Sequence, residues 1–144
     1  MFYGYFEHNL DDKGRLMIPK GIKSNLKGED LFVLKGFDGC LSVYDKDAFD
    51  ELVAKVNKAD FNKAISRQYV RTLLGSVVSL TIDKVGRVQL PNMTTTKYKI
   101  GKSVVVLGVG DHFEIWDKKA YLEYEKNANE NFEKIAEEIE NPNA

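Results

Sequence analysis

The chain has few of the residues that most often mark chemistry or export. Among 144 residues there is one cysteine, Cys40, and there are two histidines, His8 and His112. A lone cysteine cannot form an internal disulfide, which suits a reducing cytoplasm. No Cys/His set has metal-ligand spacing, so neither a metal nor another cofactor is expected. Nucleophile elbow, Walker loop and dinucleotide fingerprint are all absent. Long apolar runs are absent too. The longest, Val104-Val105-Val106-Leu107-Gly108-Val109, is far below the roughly 20 residues that span a bilayer. Glu7 interrupts the start early and no basic region precedes an apolar core, so neither an export signal nor a membrane partner is expected. What remains is an ordinary globular composition, 43% hydrophobic and 30% charged. That excludes disordered, collagen-like and mucin-like chains. The length suits one domain or two very small ones.

An excess of positive charge is also missing. The net charge is −1, which by itself does not indicate a nucleic-acid binder. The distribution is more informative. Lys118–Ala144 holds four basic and seven acidic residues, net −3, leaving +2 for the rest of the chain. Between Lys84 and Lys102 there are five basic residues and no acid. Between Lys13 and Lys35 there are six basic residues against Glu29 and Asp30. Local potential, not total charge, steers a polyanion.

Those two basic segments are copies. Leu10-Asp11-Asp12-Lys13-Gly14-Arg15-Leu16-Met17-Ile18-Pro19 aligns with Ile82-Asp83-Lys84-Val85-Gly86-Arg87-Val88-Gln89-Leu90-Pro91 at an offset of 72 positions. The offset holds without a gap through Val33/Val105, Gly36/Gly108, Tyr44/Trp116, Asp45/Asp117 and Glu51/Glu123. Two copies are too few for a solenoid, so a tandem pair forming one pseudo-symmetric unit is expected.

Each copy predicts the same elements. Leu16 and Ile18, like Val88 and Leu90, alternate as in a short strand. Pro19 and Pro91 end it and suit the first turn of a short helix. Leu31–Leu34 and Val104–Leu107 predict strands. Glycine-containing turns follow at Gly36–Gly39 and Gly108–Asp111, then return strands at Leu41–Tyr44 and Phe113–Trp116. Asp45 and Asp117 are expected to cap helices. Between the copies, Phe61, Ala64, Ile65, Tyr69 and Leu73 predict a helix capped by Asp60 and stopped at Gly75. One final helix from Lys118 carries Tyr121, Tyr124, Ala128, Phe132, Ile135 and Ile139 on a stripe that packs on its own domain or contacts another subunit. Asn141–Ala144 is expected to fray.

The repeated Asp-x-x-x-Arg is the strongest chemical signal. A glycine before each arginine allows a tight turn. The aspartates, Asp11 and Asp83, can accept backbone N–H groups or pair with the arginines. Arg15 and Arg87 can read guanine, while Lys13 and Lys84 suit phosphate. The alternative is that each pair is only an internal salt bridge around a turn. A carboxylate pair for acid–base catalysis fits less well, because acids beside Lys or Arg stay ionised. Asp111-His112 reads as a solvated turn pair, and Cys40 as a buried structural thiol.

Met1-Phe2-Tyr3-Gly4, the two loops with Pro19, Ser66–Gly75, and Phe113-Glu114-Ile115-Trp116-Asp117 together resemble the MraZ family, within the wider AbrB-type swapped-hairpin superfamily. The resemblance runs from Met1 to about Tyr124. It implies an α+β fold of two tandem AbrB-like swapped-hairpin halves, with a pseudo-twofold, barrel-like β-rich core and flanking helices. The expected division is 1–58 for the first half, 59–76 for a linker helix and 77–144 for the second half with its C-terminal helix. The resemblance further implies a non-enzymatic bacterial transcriptional regulator in the cytoplasm, associated with the nucleoid. It would assemble into homo-oligomeric, octameric rings. Its partner would be double-stranded DNA: direct repeats upstream of a division and cell-wall gene cluster, including its own gene. No small-molecule substrate is implied. Arg15, Arg87 and Lys13 are the implied DNA contacts, and Lys84 is added on charge. Asp11, Gly14, Asp83 and Gly86 would support the loops. An antitoxin-like or structural partner-binding oligomer is the competing reading, with the acidic C-terminal helix as its feature. The chain departs from the family after the proline. The first copy has the expected basic character in Lys20-Gly21-Ile22-Lys23, but the second has Asn92-Met93-Thr94-Thr95-Thr96. The second copy is therefore expected to pack differently there. Because Val85 stands where the first loop has Lys13, the two loops are expected to contribute unequally.

Overall fold

The structure is a computed structural model that describes residues 1–140; the expectation for Asn141–Ala144 lies outside the described residues. The first half contains β1 (Phe2–Asn9), β2 (Arg15–Met17), α1 (Lys20–Lys23), β3 (Asp30–Lys35), β4 (Leu41–Asp45) and α2 (Lys46–Val56). After α3 (Ala64–Leu74), the same series returns as β5 (Val78–Thr81), β6 (Arg87–Gln89), α4 (Asn92–Lys97), β7 (Ser103–Gly110), β8 (Phe113–Asp117) and α5 (Lys118–Glu130). A further helix, α6 (Phe132–Glu140), follows. The fold is α+β and built of two like halves, as expected.

The halves interleave. Six strands form one antiparallel sheet in the order β1-β7-β8-β4-β3-β5, and β2 pairs with β6 in a separate two-stranded ribbon. The first strand of each half joins the other half's hairpin. β1 pairs with β7 from Phe2↔Gly110 to Asn9↔Ser103, and β5 pairs with β3 from Asp30↔Thr81 to Val33↔Val78. Ser42 lies opposite Glu114 in the sheet, and Leu16 lies opposite Val88 in the ribbon. Each pair joins residues 72 positions apart, so a pseudo-twofold axis runs between them.

Alternation explains the core. Val104 and Val106 face the ribbon and pack with Leu16, Ile18, Val88, Leu90, Leu41 and Ile115. Val105 points the other way, into a smaller cluster with Cys40, Trp116 and Tyr121. With both faces covered, the central strands read as nearly continuous apolar runs. Asp45 and Asp117 cap α2 and α5, accepting the N–H of Ala48 at 3.1 Å and of Ala120 at 3.3 Å.

Several local expectations change. β1 and β5 lie outside the elements the sequence pattern predicts; they are sheet strands because the opposite half supplies their partners. β7 runs on to Gly110 because β1 pairs along it, which moves the hairpin turn to Asp111-His112. Asp60 caps a turn, accepting the N–H of Asn62 at 3.0 Å, while Lys63 stands at the start of α3. Gly75 ends α3 as expected, in right-handed conformation. The final helix is two helices. Asn131 breaks it by turning its Nδ2 back onto the Asn127 carbonyl at 3.0 Å. The stripe divides at that break. Tyr121 is buried, whereas Phe132, Ile135 and Ile139 on α6 are exposed.

Leu16 is 0% exposed at the axis, so Leu16→Ala removes a buried side chain from both halves' shared core. We expect a loss of about 2–5 kcal/mol, read from urea unfolding.

Candidate nucleic-acid interface

Asp11 organises the first loop with every acceptor it has. Its carbonyl accepts the Gly14 N–H at 2.9 Å, and its own N–H donates to the Arg15 carbonyl at 3.0 Å. Its Oδ1 accepts the backbone N–H of Lys13 at 3.0 Å and of Arg15 at 2.8 Å. Its Oδ2 accepts Arg15 Nε at 2.6 Å. The carboxylate thus closes an Asx turn and clasps the arginine at once. The second loop repeats this bond for bond. Asp83 Oδ1 accepts from Val85 N at 3.0 Å and Arg87 N at 2.9 Å, and Oδ2 accepts Arg87 Nε at 2.9 Å. The turns need glycine: Gly14 has φ +75 and Gly86 has φ +92, a region where a Cβ is costly.

The clasp holds each guanidinium by Nε and leaves its two terminal nitrogens without a hydrogen-bond or ion-pair partner among the described residues. Those nitrogens form the fork that binds two acceptors side by side. Asp11 and Asp83 both titrate below the usual aspartate range. The chief cause is the backbone N–H of Arg15 or Arg87; the arginine side chain adds to it.

Both arginines lie on the outer face of the ribbon. Leu16 and Val88 point into the core, so Arg15 and Met17 on β2, and Arg87 and Gln89 on β6, point away from it. Arg15 is opposite Gln89 and Arg87 is opposite Met17, so the two arginines sit diagonally across one small surface. Lys13 and Lys84 are exposed in the loops beside them. Each loop is braced by the other half. Leu90 N donates to the Gly14 carbonyl at 2.9 Å, and Ile18 N donates to the Gly86 carbonyl at 3.0 Å. Gln89 Nε2 also donates to the Lys13 carbonyl at 3.0 Å. That brace could not be found from the sequence, because it joins positions 76 apart and Met17 occupies the equivalent place in the other half.

The carboxylates are spent on the loops. Asp11 and Asp83 each serve their own arginine and turn, which is poor material for a catalytic pair. His112 Nδ1 lies 2.7 Å from Asp111 Oδ1, and its ring stacks on Tyr44 with 4.4 Å between centroids. Cys40 is fully buried, with its thiol donating to the Phe37 carbonyl; burial pushes its pKa well above the usual thiol value. Among the described residues no His/Cys/Asp/Glu group is arranged to hold a metal ion, and no helix is long and apolar enough to cross a membrane.

Two outcomes follow from the clasp. A Cβ at Gly14 would sit 3.0 Å from the Leu90 carbonyl oxygen in a left-handed conformation. Gly14→Ala should lower stability by about 1–2 kcal/mol in a thermal melt. Since the folded aspartates titrate below the usual value of 3.8, their contribution to stability is complete above that value. It is lost as pH falls through the lower folded-state values. NMR titration of the Asp11 and Asp83 carboxyl carbons should therefore give midpoints below pH 3.8.

The family model for MraZ protein, whose description adds "antitoxin-like", matches this chain twice, over residues 1–72 and 73–141. The transcriptional regulator MraZ of Mesoplasma florum is 37% identical over 140 residues, covering 96% of this chain and 95% of that protein. The transcriptional regulator MraZ of Desulforamulus reducens is 38% identical over 139 residues, covering 96% and 97%. That of Caldanaerobacter subterraneus subsp. tengcongensis is 36% identical over 143 residues, covering 99% of both. With the family's model matched once per half and relatives aligned over nearly their whole lengths, the chain belongs to the MraZ family of transcriptional regulators.

Proposed function

We propose that this protein is a sequence-specific DNA-binding regulator whose reading surface is the β2/β6 ribbon with its two loops. One observation carries the reading: two Asp–Arg clasps of the same construction share one outer face, each leaving its guanidinium fork unengaged. Such a fork fits the O6 and N7 acceptors of guanine, and a pre-held side chain loses little entropy on binding. Lys13 and Lys84 stand beside the arginines as phosphate contacts. Asp11, Gly14, Asp83 and Gly86 act by keeping the loops rigid. Catalysis has no part in this reading.

The targets, on this proposal, are short direct repeats upstream of a division and cell-wall gene cluster, the protein's own gene included, on the nucleoid in the cytoplasm. Recognition by one subunit is small in area, so a homo-oligomeric ring presenting the surface repeatedly would add affinity by avidity. Exposed apolar side chains on α3 (Ile65, Tyr69) and the turn before it (Phe61), and on α6 (Phe132, Ile135, Ile139), support self-association. Repeats about 10 base pairs apart would present the same side of the duplex. The acidic excess beyond Lys118 explains how a chain of net charge −1 can carry a cationic reading surface. The uncovered α6 face also supports the second reading, an antitoxin-like oligomer that holds a protein partner through its C-terminal helices.

The test is a binding titration with the fragment upstream of the gene and a scrambled fragment, at two salt concentrations. Wild type should bind the upstream fragment preferentially and lose affinity steeply with salt. Arg15→Ala and Arg87→Ala should each lose about 1–3 kcal/mol of discrimination while keeping the wild-type melting temperature. Equal, weak binding to both fragments, unchanged in the variants, would overturn the proposal and favour the partner-binding reading.

A further inference from the structure

The duplication is not exact where the loops are backed. Lys23 in α1 and Thr95 in α4 are equivalent positions at the 72-residue offset. Because the halves are exchanged, α1 backs the second loop. A Cβ built on Gly86 would meet Lys23 Nζ at 2.9 Å, Cε at 3.6 Å and Cδ at 3.7 Å, so the lysine stem lies along that loop. Gly86 is buried beneath it, whereas Gly14 in the first loop is only half-buried.

The equivalent place at the first loop is open. Thr95 is short, and its hydroxyl donates to the Asn92 carbonyl at 3.1 Å. A cleft of about 620 Å³ remains there between Lys13, Gly14, Thr81, Asn92 and Thr95. A lysine stem therefore lies against the second loop, and a cleft lies beside the first.

The charges at the two tips differ accordingly. Lys23 makes no ion pair among the described residues and is exposed. It joins Lys84 and Arg87 around a single loop acid, Asp83. The first loop sets Lys13 and Arg15 against two acids, Asp11 and Asp12. Lys102 lies near the first loop at its base, where its carbonyl accepts the Leu10 N–H at 2.8 Å. Glu29 occupies the matching base of the second loop, accepting from Ile82 N at 2.8 Å.

We propose that Lys23 belongs to the second loop's DNA surface, contacting a phosphate from the opposite half. The inference rests on the DNA-binding reading above. The stem against Gly86 limits where the ammonium can go, so its role is positioning on the backbone and not base reading.

The test is a salt series with full-length protein on the upstream and scrambled fragments, comparing wild type, Lys23→Gln, Lys23→Arg, Thr95→Lys and Arg87→Ala. Lys23→Gln keeps most of the stem and removes the charge. It should weaken binding to both fragments alike and reduce the slope of log K against log salt by about 0.9 per engaged subunit. Lys23→Arg should keep the wild-type slope. Thr95→Lys should steepen it, by placing an ammonium over the first loop. Melting temperatures verify that each variant is folded. If wild type discriminates and Arg87→Ala weakens this discrimination, yet Lys23→Gln keeps the wild-type slope, the inference on Lys23 fails and the DNA-binding reading stands. If wild type itself binds neither fragment, both fail.

Discussion

The pairing of β2 with β6 is the constraint on which the rest depends. Each strand is three residues long, too short to persist alone. Each finds its partner only in the other copy, at Leu16 opposite Val88, where both side chains enter a shared core. This meeting obliges the halves to interleave. It also turns both arginines to the same outer face, because alternation sends the residues flanking a buried strand position outward. The loops at the ribbon's margins then receive their braces from across the axis, Gly14 from Leu90 and Gly86 from Ile18.

The loop chemistry follows from placing a carboxylate before a glycine turn. Asp11 and Asp83 could have neutralised their arginines entirely. Instead each accepts Nε and two backbone N–H groups, so the charge mostly stabilises the turn and the fork stays available. These carboxylates are exposed enough that the pair itself is worth little as a salt bridge. Its value is geometric: it limits where the guanidinium can be.

Duplication also leaves room for divergence. The strands, clasps and capping aspartates agree between the halves, since a change there would unfold or unseat a shared element. The helices after Pro19 and Pro91 tolerate difference, because they sit outside the axis. Phe6 packs against Gly21 on one side, while the equivalent Met93 on the other is largely exposed. The lysine that covers one loop and the cleft beside the other belong to this freer layer.

Much was legible from the chain alone. Periodicity marks the hairpins and the spacing Asp-x-x-x-Arg marks the loops, because both are local patterns set by backbone geometry, and the 72-residue offset between the copies marks the twofold relation. The strands β1 and β5 were not legible, although Phe2–Phe6 is aromatic and Val78–Thr81 alternates; a strand is defined by its neighbour, and theirs lie about a hundred and about fifty positions away. Nor could periodicity show that Asn131 would split the last helix, since the apolar stripe runs on through the break. The Gln89 brace and the reach of Lys23 to Gly86 are contacts between halves, created by strand exchange. Sequence by itself determined the hairpins, the repeat and the residues of each clasp, because hairpin and clasp are contacts between near neighbours along the chain and the repeat is visible on comparing the two copies. Tertiary structure decided which half supports which loop and which face the arginines share, because those depend on pairing between distant strands.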